Sequence, residues 1–177
     1  MAQAFARVLG THGQGGATIA AVAAEASIAP GLVHHYFESK QDLYEALLQE
    51  LLAGFRHRVE ARPGTDALGA YVDAALAVDE RSDIDAARAW VGIFAEALGE
   101  PTLFAKVRRM MDVEVASVER RARGSLSASD ASAVVAFIVG ALVFGAFAPR
   151  KTSGFAAPSL HRMMAGLGLR TPTRSGR

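Results

Sequence analysis

The sequence predicts an all-α fold, on two observations. Apolar residues recur at helical spacing almost from end to end, and no stretch shows sustained apolar-polar alternation bounded by hairpin signals. A chain of 177 residues, 51% of them hydrophobic, is also long enough to bury a core, as one medium domain or as two small ones that share a helix.

The elements follow in order from their start and stop signals. A first helix is expected from Gln3 to His12, closed by Gly13, which takes the left-handed conformation after a helix C-terminus without steric cost. Gln14 to Ala17 reads as a loop. Thr18 can cap a second, short helix whose apolar positions Ile19, Val22, Ala23 and Ala26 keep helical spacing. Ser27-Ile28-Ala29 is a tight connection. Pro30, with no backbone N–H to leave unpaired, suits the first position of a third helix that runs to about Phe37. Ser39 caps a long fourth helix, with Asp42 placed to complete a capping box. Leu43, Leu47, Leu51 and Phe55 form its i, i+4 stripe, and it stops before Arg62-Pro63-Gly64. Further amphipathic segments are expected at Asp66–Val78, Ile84–Leu98, Thr102–Arg123, Ser129–Phe147 and Pro158–Leu167, separated near Pro101, Gly124 and Pro149; residues 171–177 read as a flexible tail.

Several classes are excluded at this level. Cysteine is absent, so there is no disulfide framework or thiolate metal site, and the first residues lack the charged start and apolar stretch of a signal peptide; a cytoplasmic protein is expected. The longest apolar run, Ala133 to Ala148, is broken only by Gly140 and Gly145 and falls short of the roughly 20 residues that cross a bilayer. It reads as a buried helix, with no membrane partner. Catalysis needs a nucleophile, an acid-base pair or a metal cluster, and none is visible. His34 and His35 are adjacent, hence about 100° apart around a helix, and His12, His57 and His161 lack ligand spacing. No enzyme activity, cofactor or metal is expected. The net charge of +1 gives no overall basic signature.

Residues 18 to 37 therefore carry the functional reading: two short helices joined by a tight turn have helix-turn-helix geometry. Val33 and Phe37, spaced i, i+4, face inward and leave Gly31, Leu32, His34, His35 and Tyr36 outward as a candidate DNA-reading face. The run Thr18-Ile19-Ala20-Ala21-Val22-Ala23, followed by Ile28-Ala29-Pro30-Gly31-Leu32-Val33-His34-His35-Tyr36-Phe37-Glu38-Ser39-Lys40, resembles the signature of the TetR family of regulators (TetR/AcrR type). The resemblance spans about residues 5 to 52 and includes Leu9 and Gly13 at the end of the first helix. It implies that Thr18, Tyr36 and Lys40 contact phosphates while Pro30, Gly31, Leu32, His34 and His35 approach bases or sugar-phosphate, with Ala29 of the turn among the DNA-binding positions. Four positions depart from the family pattern: Ser27 stands for the turn glycine, Ala29 for a capping Ser or Thr, Leu32 for a Thr and His34 for a Tyr. Residues 1–50 hold two basic side chains, Arg7 and Lys40, against five acidic ones, a net of −3. Members of the family usually begin with a further basic stretch, so the natural chain is expected to carry additional N-terminal residues.

The same resemblance implies that residues 1–46 form a three-helix DNA-binding domain and residues 47–170 a helical effector-binding and dimerisation domain. Apolar stripes on the later helices, with flexible methionines, suit an adaptable cavity, and Tyr71, Trp90, Phe94, Phe104, Val107 and Met111 are expected to line it for an apolar or aromatic small-molecule effector. Glu96 and Asp112 are carboxylates available to orient such a ligand, although solvation is the commoner fate of their type. Residues 131–148 are apolar nearly all round, and Gly140, Ala141, Phe144, Gly145, Leu160 and Met164 are expected at a two-fold interface between the last two helices of each protomer. The expected protein is thus a homodimeric repressor, released from a palindromic double-stranded DNA operator by its effector. The alternative is a ligand-binding helical dimer with weakened or partner-dependent DNA binding.

Overall fold

A computed structural model describes residues 1–62, 66–77, 81–148, 154 and 156–166. Among them the fold is all-α, in nine helices: α1 (Ala2–Gly16), α2 (Ile19–Glu25), α3 (Pro30–Tyr36), α4 (Lys40–Glu60), α5 (Ala67–Ala75), α6 (Arg81–Ala97), α7 (Pro101–Ala122), α8 (Ala128–Phe147) and α9 (Ala156–Gly166). The features expected at Pro63-Gly64, Val78, Pro149 and Leu167, and the tail 171–177, lie outside the described residues.

The helix starts are fixed by local hydrogen bonds. Thr18 Oγ1 accepts from the Ala21 N–H at 3.1 Å, and Ser39 and Asp42 complete the capping box of α4 with bonds of 3.3 and 2.9 Å. Of the later helices, α5, α7 and α8 are capped in the same way by Asp66, Glu100 and Ser127, the last in a second capping box with Asp130. Gly13 takes φ 64°, as expected of a stop, but a helical turn resumes beyond it to Gly16, so the expected loop at Gln14–Ala17 is mostly helical. Ser27 adopts φ 57° in the turn between α2 and α3, the conformation glycine adopts most readily. The turn closes on bonds from the Ser27 N–H to the Ala24 carbonyl (3.1 Å) and from the Ile28 N–H to the Ala23 carbonyl (3.0 Å). Ala29, extended and without a side-chain cap, leads into Pro30 at the first turn of α3.

Two cores hold the helices. The first is built on Phe5, whose ring meets that of Tyr44 edge-on at 4.9 Å, and on Val22, Val33, Leu43 and Leu47, all buried; Ala89 and Ile93 of α6 and Leu103 of α7 complete it. It therefore runs past the N-terminal helices, and α1 lies along α6 with Leu9 against Gly92. The Tyr44 hydroxyl is buried without a hydrogen-bond partner among the described residues, and burial together with the nearby Glu96 carboxylate raises its pKa above the ordinary phenol range. The second core gathers Tyr71 and Val72 of α5, Val118 of α7, Ala131, Val134 and Ile138 of α8, and Leu160 and Met164 of α9.

At 20 residues and a mean hydropathy of 2.1, α8 is long and apolar enough to cross a membrane by those two measures, which the shorter apolar run in the sequence understated. One of its faces instead builds the second core. Leu160 and Met164, expected at a two-fold interface, are 3% and 1% exposed in that core because α9 lies against α5 and α8, and Gly145 is buried as well. Of the expected interface residues, Gly140 and Phe144 are exposed and Ala141 is half-buried. With Ala136 and Phe147 they make an uncovered apolar stripe along α8.

Candidate nucleic-acid interface and ligand cavity

Short helices need an anchor, and α3 has one: Val33 is fully buried in the first core, and Phe37 is half-buried beside it. That phase turns Pro30, Gly31, Leu32, His34, His35 and Tyr36 to the surface, together with Ala29 in the turn and Thr18 at the start of α2. Leu32 is 43% exposed and Tyr36 62%, large values for apolar and aromatic side chains. The His35 ring stands edge-on to that of Tyr36 at 5.2 Å.

Among the described residues, Lys40 is the expected DNA-contacting residue whose charged group is engaged by distant parts of the protein. Its ammonium donates to the Gln14 carbonyl at 2.8 Å and lies 5.7 Å from the centroid of the Tyr44 ring. Gln14 in turn donates through its side-chain amide to the Gly92 carbonyl of α6 at 3.2 Å. One residue just past the Gly13 break therefore ties the start of α4 to the middle of α6. No local signal announces this bond, whose partners lie 78 positions apart. Arg7 is paired with Glu25 of α2.

The opposite side of α6 faces a cavity of about 80 Å³ between α4, α5, α6, α7 and α8. Four aromatic side chains stand in its wall: Phe55 and Tyr71, edge-on at 5.2 Å, and Trp90 and Phe94, stacked at 5.6 Å. Met111 lines it as expected, with Met110 beside it. Phe104 and Val107 do not. They lie on the same stripe of α7 as Met111, but seven residues of helix are about 10 Å long, so the stripe outruns the cavity. Phe104 ends 48% exposed, and Val107 is buried in the first core.

The carboxylate in the wall is Glu114, which accepts a hydrogen bond from the Tyr71 hydroxyl at 2.7 Å; Asp112 is exposed, and Glu96 lies by Tyr44. Glu114 follows Met111 by three positions, one helical turn along the same face, which is the signal that could have found it. Burial and the Glu114 carboxylate raise the Tyr71 pKa above the ordinary phenol range, so the hydroxyl stays a donor. The Arg121 guanidinium, 5.0 Å from the centroid of the Tyr71 ring, acts against that shift but does not cancel it. Arg58 adds a second charged side chain to the lining. Among the described residues, no group of three or more His, Asp or Glu is placed to hold a metal ion.

Residues 3–47 match the model of the family described as bacterial regulatory proteins, tetR family. The HTH-type transcriptional regulator BetI of Burkholderia thailandensis is 32% identical over 133 residues, which cover 72% of this chain and 64% of that regulator, less than two thirds of its length. BetI of Burkholderia mallei is 30% identical over 141 residues, 73% of this chain and 72% of that one. Among solved structures, a transcriptional regulator from Rhodococcus sp. Rha1 aligns over 93% of this chain and 94% of its own with a TM-score of 0.79 at 19% identity. BioQ, solved with its natural double-stranded DNA operator, aligns over 96% of both chains with a TM-score of 0.52 at 23% identity. At these identities the structural likeness speaks to the fold.

Proposed function

The chain belongs to the TetR family of bacterial regulatory proteins and is a transcriptional regulator with a DNA-binding helix-turn-helix; from that premise we propose that it is a cytoplasmic repressor released from a palindromic operator by a small apolar or aromatic effector. The observation that carries the reading is the anchored, outward-facing α3: with Val33 buried, His34, His35 and Tyr36 are left free to enter a DNA groove. In this reading Thr18, Tyr36 and Lys40 meet phosphates, and Ala29, Pro30, Gly31, Leu32, His34 and His35 meet bases or sugar-phosphate. BioQ, of like fold, is known with its operator bound, which supports the same use of the fold here.

Residues 1–46 act as the reading unit and residues 47–170 as the effector and dimerisation unit. The effector lies against Tyr71, Trp90, Phe94 and Met111, with the Tyr71–Glu114 pair supplying its polar contact. Two copies join through the stripe of Gly140, Ala141 and Phe144, since a two-fold dimer sets two recognition helices about one DNA turn, roughly 34 Å, apart. An effector that binds a dimer with its reading helices wrongly spaced draws the population away from DNA, and the coupling is reciprocal. The Gln14 bonds to Gly92 and Lys40 join the reading unit to α6, whose other side lines the cavity.

Electrophoretic titration against duplexes selected by the protein from a randomised pool tests the reading. Selection of an inverted-repeat sequence, with binding that weakens steeply as salt rises, is the expected result. Absence of any duplex binding at low salt favours the second reading, a ligand-binding dimer whose DNA contact is weak or needs a partner. One observation speaks for that alternative: the net charge of −3 in residues 1–50, with Arg7 and Lys40 both engaged by protein groups.

A further inference from the structure

The outward face of α3 carries no lysine or arginine. Of the two basic side chains in residues 1–50, Arg7 is paired with Glu25 and the Lys40 ammonium is directed to the Gln14 carbonyl. A DNA duplex presents one negative charge per about 1.7 Å of its axis, and sequence-independent affinity comes almost wholly from neutralising it. The polar side chains on the exposed face are Thr18, His34, His35 and Tyr36. Among these, only imidazole gains positive charge between about pH 5 and 8. We infer that DNA binding by this regulator is proton-linked: His34 and His35 enter the complex as imidazolium ions and supply the cationic contacts that α3, without lysine or arginine, otherwise lacks. This rests on the reading of α3 as the DNA-facing helix.

The surroundings of the two rings are permissive. Both are exposed, and among the described residues neither forms a hydrogen bond or an ion pair; His35 has its ring contact with Tyr36. On α2, which packs against α3, the charged group is Glu25, already paired with Arg7. The connection to α4 contributes the exposed Glu38. The first turns of α4 bring Lys40, Asp42, whose carboxylate accepts from the Ser39 N–H, and Glu45, paired with Lys106. Both histidines sit in the last turn of α3. Phosphates brought against them favour the imidazolium form in the complex, so binding takes up protons and strengthens as pH falls.

The test measures affinity for a duplex selected by the full chain from a randomised pool, by fluorescence anisotropy at fixed ionic strength, at about pH 6 and about pH 8. Binding is expected to be roughly tenfold or more tighter at the lower pH, and the slope of log affinity against log salt to steepen by about 0.9 for each imidazolium that meets a phosphate. In the His34→Gln, His35→Gln double variant, whose amides still form hydrogen bonds, both pH effects disappear; in the control His161→Gln, far along the chain on α9, they persist. Net proton uptake on binding, read by calorimetry in buffers of different ionisation enthalpy, is the parallel signature. Binding of equal strength and salt slope at both pH values overturns the inference alone, as does a double variant that keeps the dependence. Absence of binding at every pH and salt overturns the DNA-facing reading as well.

Discussion

Around Phe5 and Tyr44 the N-terminal helices close on side chains with no exposed surface, whereas around Tyr71 and Trp90 the later helices stop short of one another and leave about 80 Å³ unfilled. The two regions use similar residues, aromatic and aliphatic side chains on helices, to different ends. A filled core gains dispersion contacts on every side and holds one shape. Side chains that line a void forgo part of that contact, and a ligand that enters restores it. If the chain works as proposed, a filled reading unit and a receiving unit with room for a ligand divide the two tasks, and the cavity is what separates them here.

The largest expected effect breaks or keeps this contrast directly. Phe5→Ala opens the first core and is expected to cost about 3–5 kcal/mol in urea denaturation, abolishing DNA binding with it. Phe94→Ala, at a cavity that is already open on one side, is expected to cost less than about half as much by the same measure. Equal losses at the two sites remove the distinction.

Helix capping sharpens the contrast by showing what does not differ. Ser39→Ala and Ser127→Ala each remove a cap from a capping box, one in each region, and both are expected to lower stability by about 1 kcal/mol. A much greater loss at one site would show that local punctuation, and not packing, sets the regions apart.

A smaller effect of opposite sign belongs to the turn. Ser27→Gly relieves a left-handed residue and is expected to raise stability by roughly 0.5–1 kcal/mol, a rise of a few degrees in melting temperature. The smallest is a pH effect at α8. The Ser127 hydroxyl and backbone N–H hold the Asp130 carboxyl below its ordinary pKa. The stabilisation is therefore present above the ordinary aspartate value and is lost as pH falls through the lowered one. Melting temperatures of Asp130→Asn and the native chain are expected to converge on acidification, while the N-terminal core is unaffected.

Legibility in the sequence follows the reach of the interactions. Thr18 and Ser39 announced their helix starts because each cap closes within three residues, Pro30 did so through its fixed φ and missing N–H, and Gly13 marked a break in α1 for an equally local reason. Val33 and Phe37 fixed the phase of α3, so the outward set from Pro30 to Tyr36 could be read without coordinates. Where a helix is apolar on every side, phase is lost. Nothing along α8 said which face would be covered, and the inward turn of Leu160 and Met164 depends on where α9 lies. Phe104 and Val107 had the right face of α7 but the wrong height, and height is set by the partners of a helix, not by its own period. Gln14 was unreadable because its bond to Gly92 crosses most of the first hundred residues.

The seam between α1 and α6 bears on how such proteins can be recombined. A fragment cut after α4 would lose Ala89, Ile93 and Leu103 from the first core and the α6 surface against which Leu9 packs. Grafting this head onto an unrelated sensor would need a recipient helix with a small residue opposite Leu9 and a carbonyl within reach of Gln14. The unit of exchange is accordingly the head together with its receiving helix, and hybrids joined within that pair are expected to fold poorly even when each half comes from a stable parent.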